Sequence, residues 1–207
     1  MKEKLKKILI LIRNRWGLSN TLKKSRSSKV IILGNLLHTS IRVEGNSVLV
    51  IERGCRTRNA SFILNGNNNL IVLEENVFFS GKIELFGDGN EIRIGNNTRI
   101  NSADFIVHNG TKVQIGTSCL FSTNIDVRTT DSHFIFNSEG ERINPDRNIN
   151  IGNNVWIGRM VSILKGSQIE DGSVIGSMSL VSGFIPKKVI AVGVPAKVIK
   201  ENITWKE

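Results

Sequence analysis

The chain lacks the features that mark several large classes of protein. Its 207 residues include no Tyr, three Pro and two Cys, and no apolar run is long enough to span a membrane. Hydrophobic residues make up 40% and charged residues 22%, as in ordinary globular proteins rather than disordered ones. The apolar run Ile8 to Ile12 is shorter than a signal-peptide core and no small-residue cleavage site follows it. These absences predict a cytoplasmic globular protein with a sizeable core.

The net charge of +10 is concentrated at one end of the chain. Residues 1–29 hold ten of the 28 Lys and Arg residues but only one of the 18 acidic residues, so the rest of the chain is close to neutral. A neutral body with no Tyr offers no phosphate-binding stripe and few rings on which bases could stack. The composition therefore argues against a nucleic-acid partner.

The basic segment, residues 1–29, has its own pattern. Its apolar residues follow helical spacing among the Lys and Arg residues, at Leu5, Ile8, Leu9, Ile12 and Trp16. This spacing predicts a short amphipathic helix that ends near Gly17. Two roles remain open for it: docking on its own or a neighbouring subunit, or peripheral contact with the anionic inner face of a membrane.

A repeat runs through the remaining residues, 30–207. Apolar centres recur with steps of 22, 21, 21 and 36 residues, at Ile51, Leu73, Ile94, Ile115 and Ile151. From Ile151 to Val181 an apolar residue recurs every six positions, and Gly/Asn pairs precede each of the first four centres. A period of six suits a short strand followed by a corner, three times per coil. The pattern predicts an all-β fold, a parallel β-helix of about seven stacked coils.

The two cysteines occupy equivalent positions of this repeat. Cys55 and Cys119 each lie four residues after a centre, in one column with Val77, Thr98 and Val155. Three coil steps separate them, about 14 Å at the usual strand spacing, which is too far for a disulfide. We expect two free thiols that fill a small inward column.

The step of 36 residues indicates an insertion at about residues 122–148, and a C-terminal tail follows from about residue 186. The insertion holds His133 beside Asp131 and Ser132 and near Arg128. Neighbouring Ser and His side chains diverge and no nucleophile elbow is present, so a serine hydrolase site does not fit. A lone imidazole can act as a general base at neutral pH. The alternative is that His133 is simply a polar loop residue.

The other two histidines are expected to be structural or solvent-facing. His38 falls in the least regular part of the repeat and His108 lies beside a turn pair. The three histidines share no column and no close spacing, so the sequence predicts no metal site.

Residues from about Ile92 to Lys200 resemble the hexapeptide-repeat acyltransferases, and more narrowly the sugar and polysaccharide O-acetyltransferases related to galactoside and maltose acetyltransferases. Several elements occur in the family's order: DSH in a long loop, then NIGNNVWIG, IGSMSLVSGFIP and AVGVPAKVIK. The resemblance implies a left-handed β-helix, acetyl-CoA as donor and a homotrimer with a site between subunits.

The resemblance also implies roles for individual residues. His133 matches the histidine that deprotonates the acceptor, and Trp156 matches a tryptophan lining the donor or acceptor site. The positions that match coenzyme A contacts are Arg159, Ser177, Ser182, Lys197 and Lys200. Acceptor-site candidates are Asn101 or Ser102, which match loosely, and the neighbours of His133, namely Arg128, Asp131 and Ser132. Gly183 departs from the family, since many relatives have a lysine there.

These observations predict an acetyl-CoA-dependent O-acetyltransferase that acts on a sugar of a bacterial surface polysaccharide, such as a capsule or lipopolysaccharide, or on its precursor. His133 would act by direct transfer, because no Ser or Cys is paired with a base. Two alternatives remain: an N-acyltransferase acting on a nucleotide-linked amino sugar, and a trimeric scaffold with no catalytic activity.

Overall fold

The computed structural model describes residues 19–206, and these form a parallel β-helix without any α-helix. The strands are β1 (Thr21–Lys24), β2 (Lys29–Ile32), β3 (Asn35–Val43), β4 (Val48–Ile51), β5 (Arg56–Asn65), β6 (Leu70–Leu73), β7 (Phe78–Phe86), β8 (Glu91–Ile94), β9 (Arg99–His108), β10 (Lys112–Ile115), β11 (Leu120–Phe121), β12 (Ile125–Arg128), β13 (Ile149–Ile151), β14 (Trp156–Ile157), β15 (Ser162–Leu164), β16 (Gln168–Ile169), β17 (Val174–Ile175), β18 (Leu180–Val181), β19 (Phe184–Ile185), β20 (Ile190–Gly193) and β21 (Ala196–Lys200).

The strands build the three faces of a left-handed prism. The first face is the eight-stranded sheet of β2, β4, β6, β8, β10, β13, β16 and β19. The second face consists of β11, β14, β17 and β20 with the first halves of the long strands β3, β5, β7 and β9. The third face consists of β1, β12, β15 and β18 with the second halves of those long strands. Eight strands on the first face correspond to eight coils, one more than the sequence predicted.

The repeat centres lie inside the prism, as the sequence predicted. In successive coils the inward residue of the first face is Ile32, Ile51, Leu73, Ile94, Ile115, Ile151, Ile169 and Ile185, and all eight are buried. Each coil covers the apolar edge of the next, so the core is one continuous column that no single coil could form alone.

The corners explain the recurrent asparagines. Between the first and second faces, Asn76, Asn97, Ser118 and Asn154 have φ between 51° and 62°. This left-handed backbone conformation disfavours most side chains, and Asn tolerates it better than most non-glycine residues. The corner position is therefore Asn in three of these four coils, and Gly54 and Gly172 occupy it in two others.

The cysteine prediction is confirmed. Cys55 and Cys119 are buried free thiols. The strand register places each of them one residue before aligned positions of β5 and β11, with Val77 and Thr98 between them in the same column.

Three predicted boundaries differ from the structure. The C-terminal tail, predicted from about residue 186, begins later, because Ile190–Gly193 pairs in parallel with β17 and continues the second face. Thr21–Lys24, assigned to the N-terminal segment, is a strand that pairs in parallel with β3, so the β-helix begins before residue 30. The predicted helix between Leu5 and Trp16 lies outside the described residues. The insertion begins at residue 129 rather than at 122, because Ile125–Arg128 continues the third face and pairs with β9 and β15. In residues 19–206 we find no helix long and apolar enough to cross a membrane.

Candidate active site

Residues 129–148 leave the corner between the third and first faces, and we call them the arm. The arm folds back on itself through an antiparallel bridge between Phe136 and Arg142. The Ile143 amide donates to the Ile135 carbonyl at 2.9 Å, and the Asn137 side chain accepts two backbone amides at the tip. The arm is therefore a short hairpin with its own hydrogen bonds rather than an irregular loop.

His133 lies at the base of the arm with its side chain exposed. Its backbone carbonyl accepts a hydrogen bond from the Asn144 side-chain amide at 2.8 Å. Ser132, just before it, has a φ of 65°, and its amide donates to Thr130 Oγ1 at 3.0 Å. The backbone on both sides of the imidazole is thus held, while the ring itself faces solvent.

The buried Asn144 side chain connects several residues at the base of the arm. Besides His133, its side-chain amide donates to Asp131 at 2.8 Å, and its side-chain oxygen accepts the Ile135 amide at 2.7 Å. Lys165, one residue beyond β15, donates to the Asp131 carboxylate and to the Asn144 carbonyl. The Lys165 ammonium and the Asn144 amide hold the pKa of the Asp131 carboxyl below its usual value. Asp131 therefore forms an ion pair with Lys165 of the prism.

Arg128, at the end of β12, lies close to the arm but is also paired. Its guanidinium donates to Asp126 at 2.7 Å, and this hydrogen bond raises the pKa of Arg128. Ser182 lies at the same corner two coils further on, because Ile163 and Val181 align with the residue before Arg128. The structure thus brings Arg128, Asp131, Ser132, His133 and Ser182 to one corner of the prism.

The other predicted site residues lie elsewhere on the chain. Trp156 projects from the second face between the buried Val155 and Ile157, and 40% of its surface is exposed. Arg159 and Ser177 are neighbours on the corner between the second and third faces, where the Arg159 amide donates to Ser177 Oγ at 3.2 Å.

Asn101 belongs to that second corner as well, two coils before Arg159. Its position follows from the aligned residues Ile100, Phe121 and Ile157, and its side-chain oxygen accepts from Arg99 at 3.0 Å. Asn101 is therefore separated from His133 by the width of the third face.

Lys197 and Lys200 lie in β21, which pairs antiparallel with β20 opposite Val192 and Ile190. Both lysines are exposed, but they belong to an ordered strand rather than to a loose tail. Gly183 occupies open space, with no atom within 4 Å of where a Cβ would be. The packing around this position therefore does not require a glycine.

One residue of this surface has no counterpart in the sequence prediction. The Trp205 ring lies 5.9 Å from the Trp156 ring, and its indole N–H donates to the Asn154 carbonyl at 2.8 Å. The only sequence signal for this contact is a tryptophan in a polar C-terminal stretch.

The cysteines and the other histidines of residues 19–206 do not form a second reactive centre. Burial raises the pKa of both Cys55 and Cys119 to about 11, so neither thiol is a ready nucleophile. Burial lowers the pKa of His108, whose ring packs on Phe86 at 5.2 Å, and His38 is a corner residue with a φ of 50°. Residues 19–206 contain no group of three or more His, Cys, Asp or Glu side chains placed to hold a metal ion.

Comparisons with known proteins agree with this architecture. The family model "Bacterial transferase hexapeptide (six repeats)" matches residues 148–183. The polysialic acid O-acetyltransferase of Neisseria meningitidis is 32% identical over 91% of this chain and 86% of its own length. A putative lipopolysaccharide biosynthesis O-acetyl transferase, WbbJ of Escherichia coli K12, is 27% identical over 94% of each chain.

A solved structure agrees over the same range. The crystal structure of the polySia-specific acetyltransferase NeuO has a TM-score of 0.86 with 33% identity, and the match covers 91% of this chain and 89% of that one.

Proposed function

Since the chain belongs to the hexapeptide-repeat O-acetyltransferase family, we propose that it transfers an acetyl group from acetyl-CoA to a hydroxyl of a bacterial surface polysaccharide or its precursor. The observation that carries the proposal is His133, whose exposed imidazole projects from a backbone held on both sides at the base of the arm. Relatives named for polysialic acid and lipopolysaccharide support this class of acceptor.

The chemistry follows from one imidazole. His133 takes the proton of the acceptor hydroxyl as its oxygen attacks the thioester carbonyl. The C–S bond then breaks, and the thiolate of coenzyme A receives the proton from the imidazolium. Every atom is accounted for without an acyl-enzyme, which agrees with thiols that are buried and protonated at neutral pH.

Cationic and aromatic residues of the C-terminal coils support the donor site. Arg159, Lys197 and Lys200 are exposed and can donate charge-assisted hydrogen bonds to the phosphates of coenzyme A. Ser177 adds a hydroxyl at the corner between the second and third faces, and Ser182 adds one at the corner between the third and first faces. Trp156 offers an aromatic surface on the second face. Asn101 and Arg128 are the proposed acceptor contacts, while Asp131 and Ser132 hold the backbone beside the base.

The distribution of these residues supports a site shared between subunits. His133 lies at the corner between the third and first faces, whereas Trp156 lies on the second face of the same chain. Three prisms around a threefold axis could place the arm of one subunit against the second face of another. We therefore include a homotrimer in the proposal.

Mixed trimers test this arrangement. The variants His133→Ala and Trp156→Ala should each lose turnover as homotrimers, and trimers reassembled from an equal mixture should recover about a quarter of wild-type turnover. Recovery is expected because one quarter of the interfaces join an intact histidine to an intact tryptophan. If the mixture stays as inactive as its components while trimers form, both residues act within one chain.

The primary test of the activity is the release of free thiol from acetyl-CoA with bacterial polysaccharides and their monosaccharides as acceptors. Acceptor-dependent release should fall at least about a hundredfold in His133→Ala while the β-helix remains folded. A protein that neither binds acetyl-CoA nor releases thiol would instead be a scaffold.

We also propose that the basic N-terminal segment, residues 1–29, keeps the enzyme near the inner membrane face. Lys23 and Lys24 of this segment are the last two residues of β1, and both are exposed at the end of the prism. Anionic vesicles should retain the full chain and release a chain that starts at residue 19, which lacks six of the ten Lys and Arg residues of this segment together with the predicted helix. Equal retention of both chains, or of neither, would contradict this part of the proposal.

A further inference from the structure

Residues 201–206, which we call the C-terminal strap, run back along the prism after β21. The Ile203 amide donates to the Lys188 carbonyl at 3.0 Å, and the Trp205 indole donates to the Asn154 carbonyl at 2.8 Å. Lys188 and Asn154 occupy the same corner two coils apart, with Gly172 at the intermediate coil. The strap is therefore fixed to the corner between the first and second faces at two points.

The strap ends against Trp156. The two indole rings are 5.9 Å apart and inclined by 46°, a geometry in the range of favourable aromatic pairs. The indole N–H of Trp205 donates to the Asn154 carbonyl, so Trp205 contacts Trp156 through its ring surface. Val174, the outward neighbour of Trp156 in the ladder, is only 7% exposed. Trp156 thus stands on a packed surface with Trp205 at its side.

Positive charge lies on the same face as this aromatic pair. The second-face ladder runs from Trp156 through Val174 and Ile190 to Lys200 of β21. Lys197 lies in the same strand, and Lys206 follows Trp205 directly. An aromatic pair flanked by lysines suits a ligand with an aromatic base and phosphates better than it suits an uncharged sugar.

We propose that Trp205 is a positioning residue of the donor site: through its ring contact it holds the Trp156 indole in the orientation that acetyl-CoA meets. The proposal rests on the proposed function and extends it to the strap. A flexible Trp156 would have to lose side-chain freedom on binding, and a preformed pair has already lost it.

Steady-state kinetics separate this role from a general structural one. Trp205→Ala should raise the KM for acetyl-CoA about three- to tenfold, with a smaller change in kcat and an unchanged KM for the acceptor. Trp205→Phe keeps a ring against Trp156 and loses only the hydrogen bond to Asn154, so it should restore most of the affinity. Phe184→Ala, which removes an exposed aromatic ring from the first face, is the matched control and should change none of these constants.

A binding measurement provides a readout that does not require turnover. In a Trp16→Phe background the remaining indoles are Trp156 and Trp205, so coenzyme A should quench the intrinsic fluorescence of the folded protein, and calorimetry should give the same affinity. Trp205→Ala should weaken that binding by the factor seen in KM. Weakened binding supports the proposal even if no acceptor is turned over.

Three outcomes would overturn the proposal. The first is an unchanged affinity for coenzyme A in a folded Trp205→Ala variant. The second is a rise in the acceptor KM alone, which would assign the strap to the acceptor. The third is a wild-type protein that does not bind coenzyme A, which would remove the proposed function together with this role.

Discussion

The two halves of the prism are built differently. In the N-terminal half, strands of nine or ten residues run from the second face onto the third, and Phe62, Phe79 and Phe105 stack along the core at 5.4 and 6.2 Å. In the C-terminal half most strands have only two to four residues, and each corner is a separate turn. Every candidate site residue except Asn101 and its alternative Ser102 lies in the region with short strands or in its arm.

This difference explains how a repetitive fold can carry a site. A long strand commits its backbone to the ladder and alternates its side chains between core and solvent. A short strand buries one or two residues. The corner residues that follow it, such as Arg159, Ser177 and Ser182, lie outside the strand ladder. The N-terminal half thus supplies a stable column, and the C-terminal half supplies positions where chemistry can be placed without disturbing the core.

The largest expected effect comes from the core of the N-terminal half. Phe79→Ala removes a fully buried ring that contacts two other rings, and should lower the free energy of unfolding by about 3–5 kcal/mol. Phe184→Ala in the C-terminal half removes a ring that is 62% exposed and should stay within about 0.5 kcal/mol. Denaturant unfolding at one fixed protein concentration measures both. Equal losses would show that the halves are not distinct in packing.

A pair of glycines gives the next largest contrast. Gly81 has a φ of +119°, and a Cβ there would lie 2.1 Å from the Ala103 carbonyl oxygen of the next coil. Gly81→Ala should therefore cost at least about 1–3 kcal/mol in strain. Gly183→Ala faces open space and should leave stability nearly unchanged. Melting curves of the two variants test the contrast, which fails if Gly81→Ala melts with the wild type.

The regular parts of this fold could be predicted from the sequence because each repeat of the sequence corresponds to one coil of the prism. Ile51, Leu73, Ile94 and Ile115 recur at a fixed step since each occupies the same inward position of a coil. The same register predicted that Cys55 and Cys119 would share a column without meeting. His133 could be identified because it lies in the one long departure from the period.

The irregular contacts could not be predicted in the same way. Lys165 reaches Asp131 across 34 positions, and Trp205 reaches Asn154 across 51, and neither contact follows the repeat. The sequence prediction includes Ile125–Arg128 in the insertion because a four-residue strand has too short an alternation of apolar and polar residues to recognise. The sequence prediction omits the eighth coil because the step from Ile169 to Ile185 is 16 residues and departs from the period of 18.

A smaller effect is expected at the base of the arm. Asn144→Ala removes the hydrogen bonds to His133, Asp131 and Ile135, so the imidazole should lose its fixed position. We expect kcat to fall about tenfold while the KM for acetyl-CoA stays constant. Asn137→Ala removes the same kind of side chain from the tip of the arm and is the matched control. Equal kinetics of the two variants would mean that Asn144 does not position the base.

The smallest effect concerns the two cysteines, whose column extends from the N-terminal half of the prism to its junction with the C-terminal half. Native protein should react with DTNB at neither thiol near neutral pH, and unfolded protein at both, because burial raises their pKa from 9.0 to about 11. The unfolded chain releases these protons near pH 9 and the folded chain near 11. The thiols therefore favour the fold below pH 9, and this contribution disappears as the pH rises toward 11. Rapid labelling of one native thiol would show that the core is open at that coil, and the position of the labelled cysteine would identify which part of the column is less tightly packed.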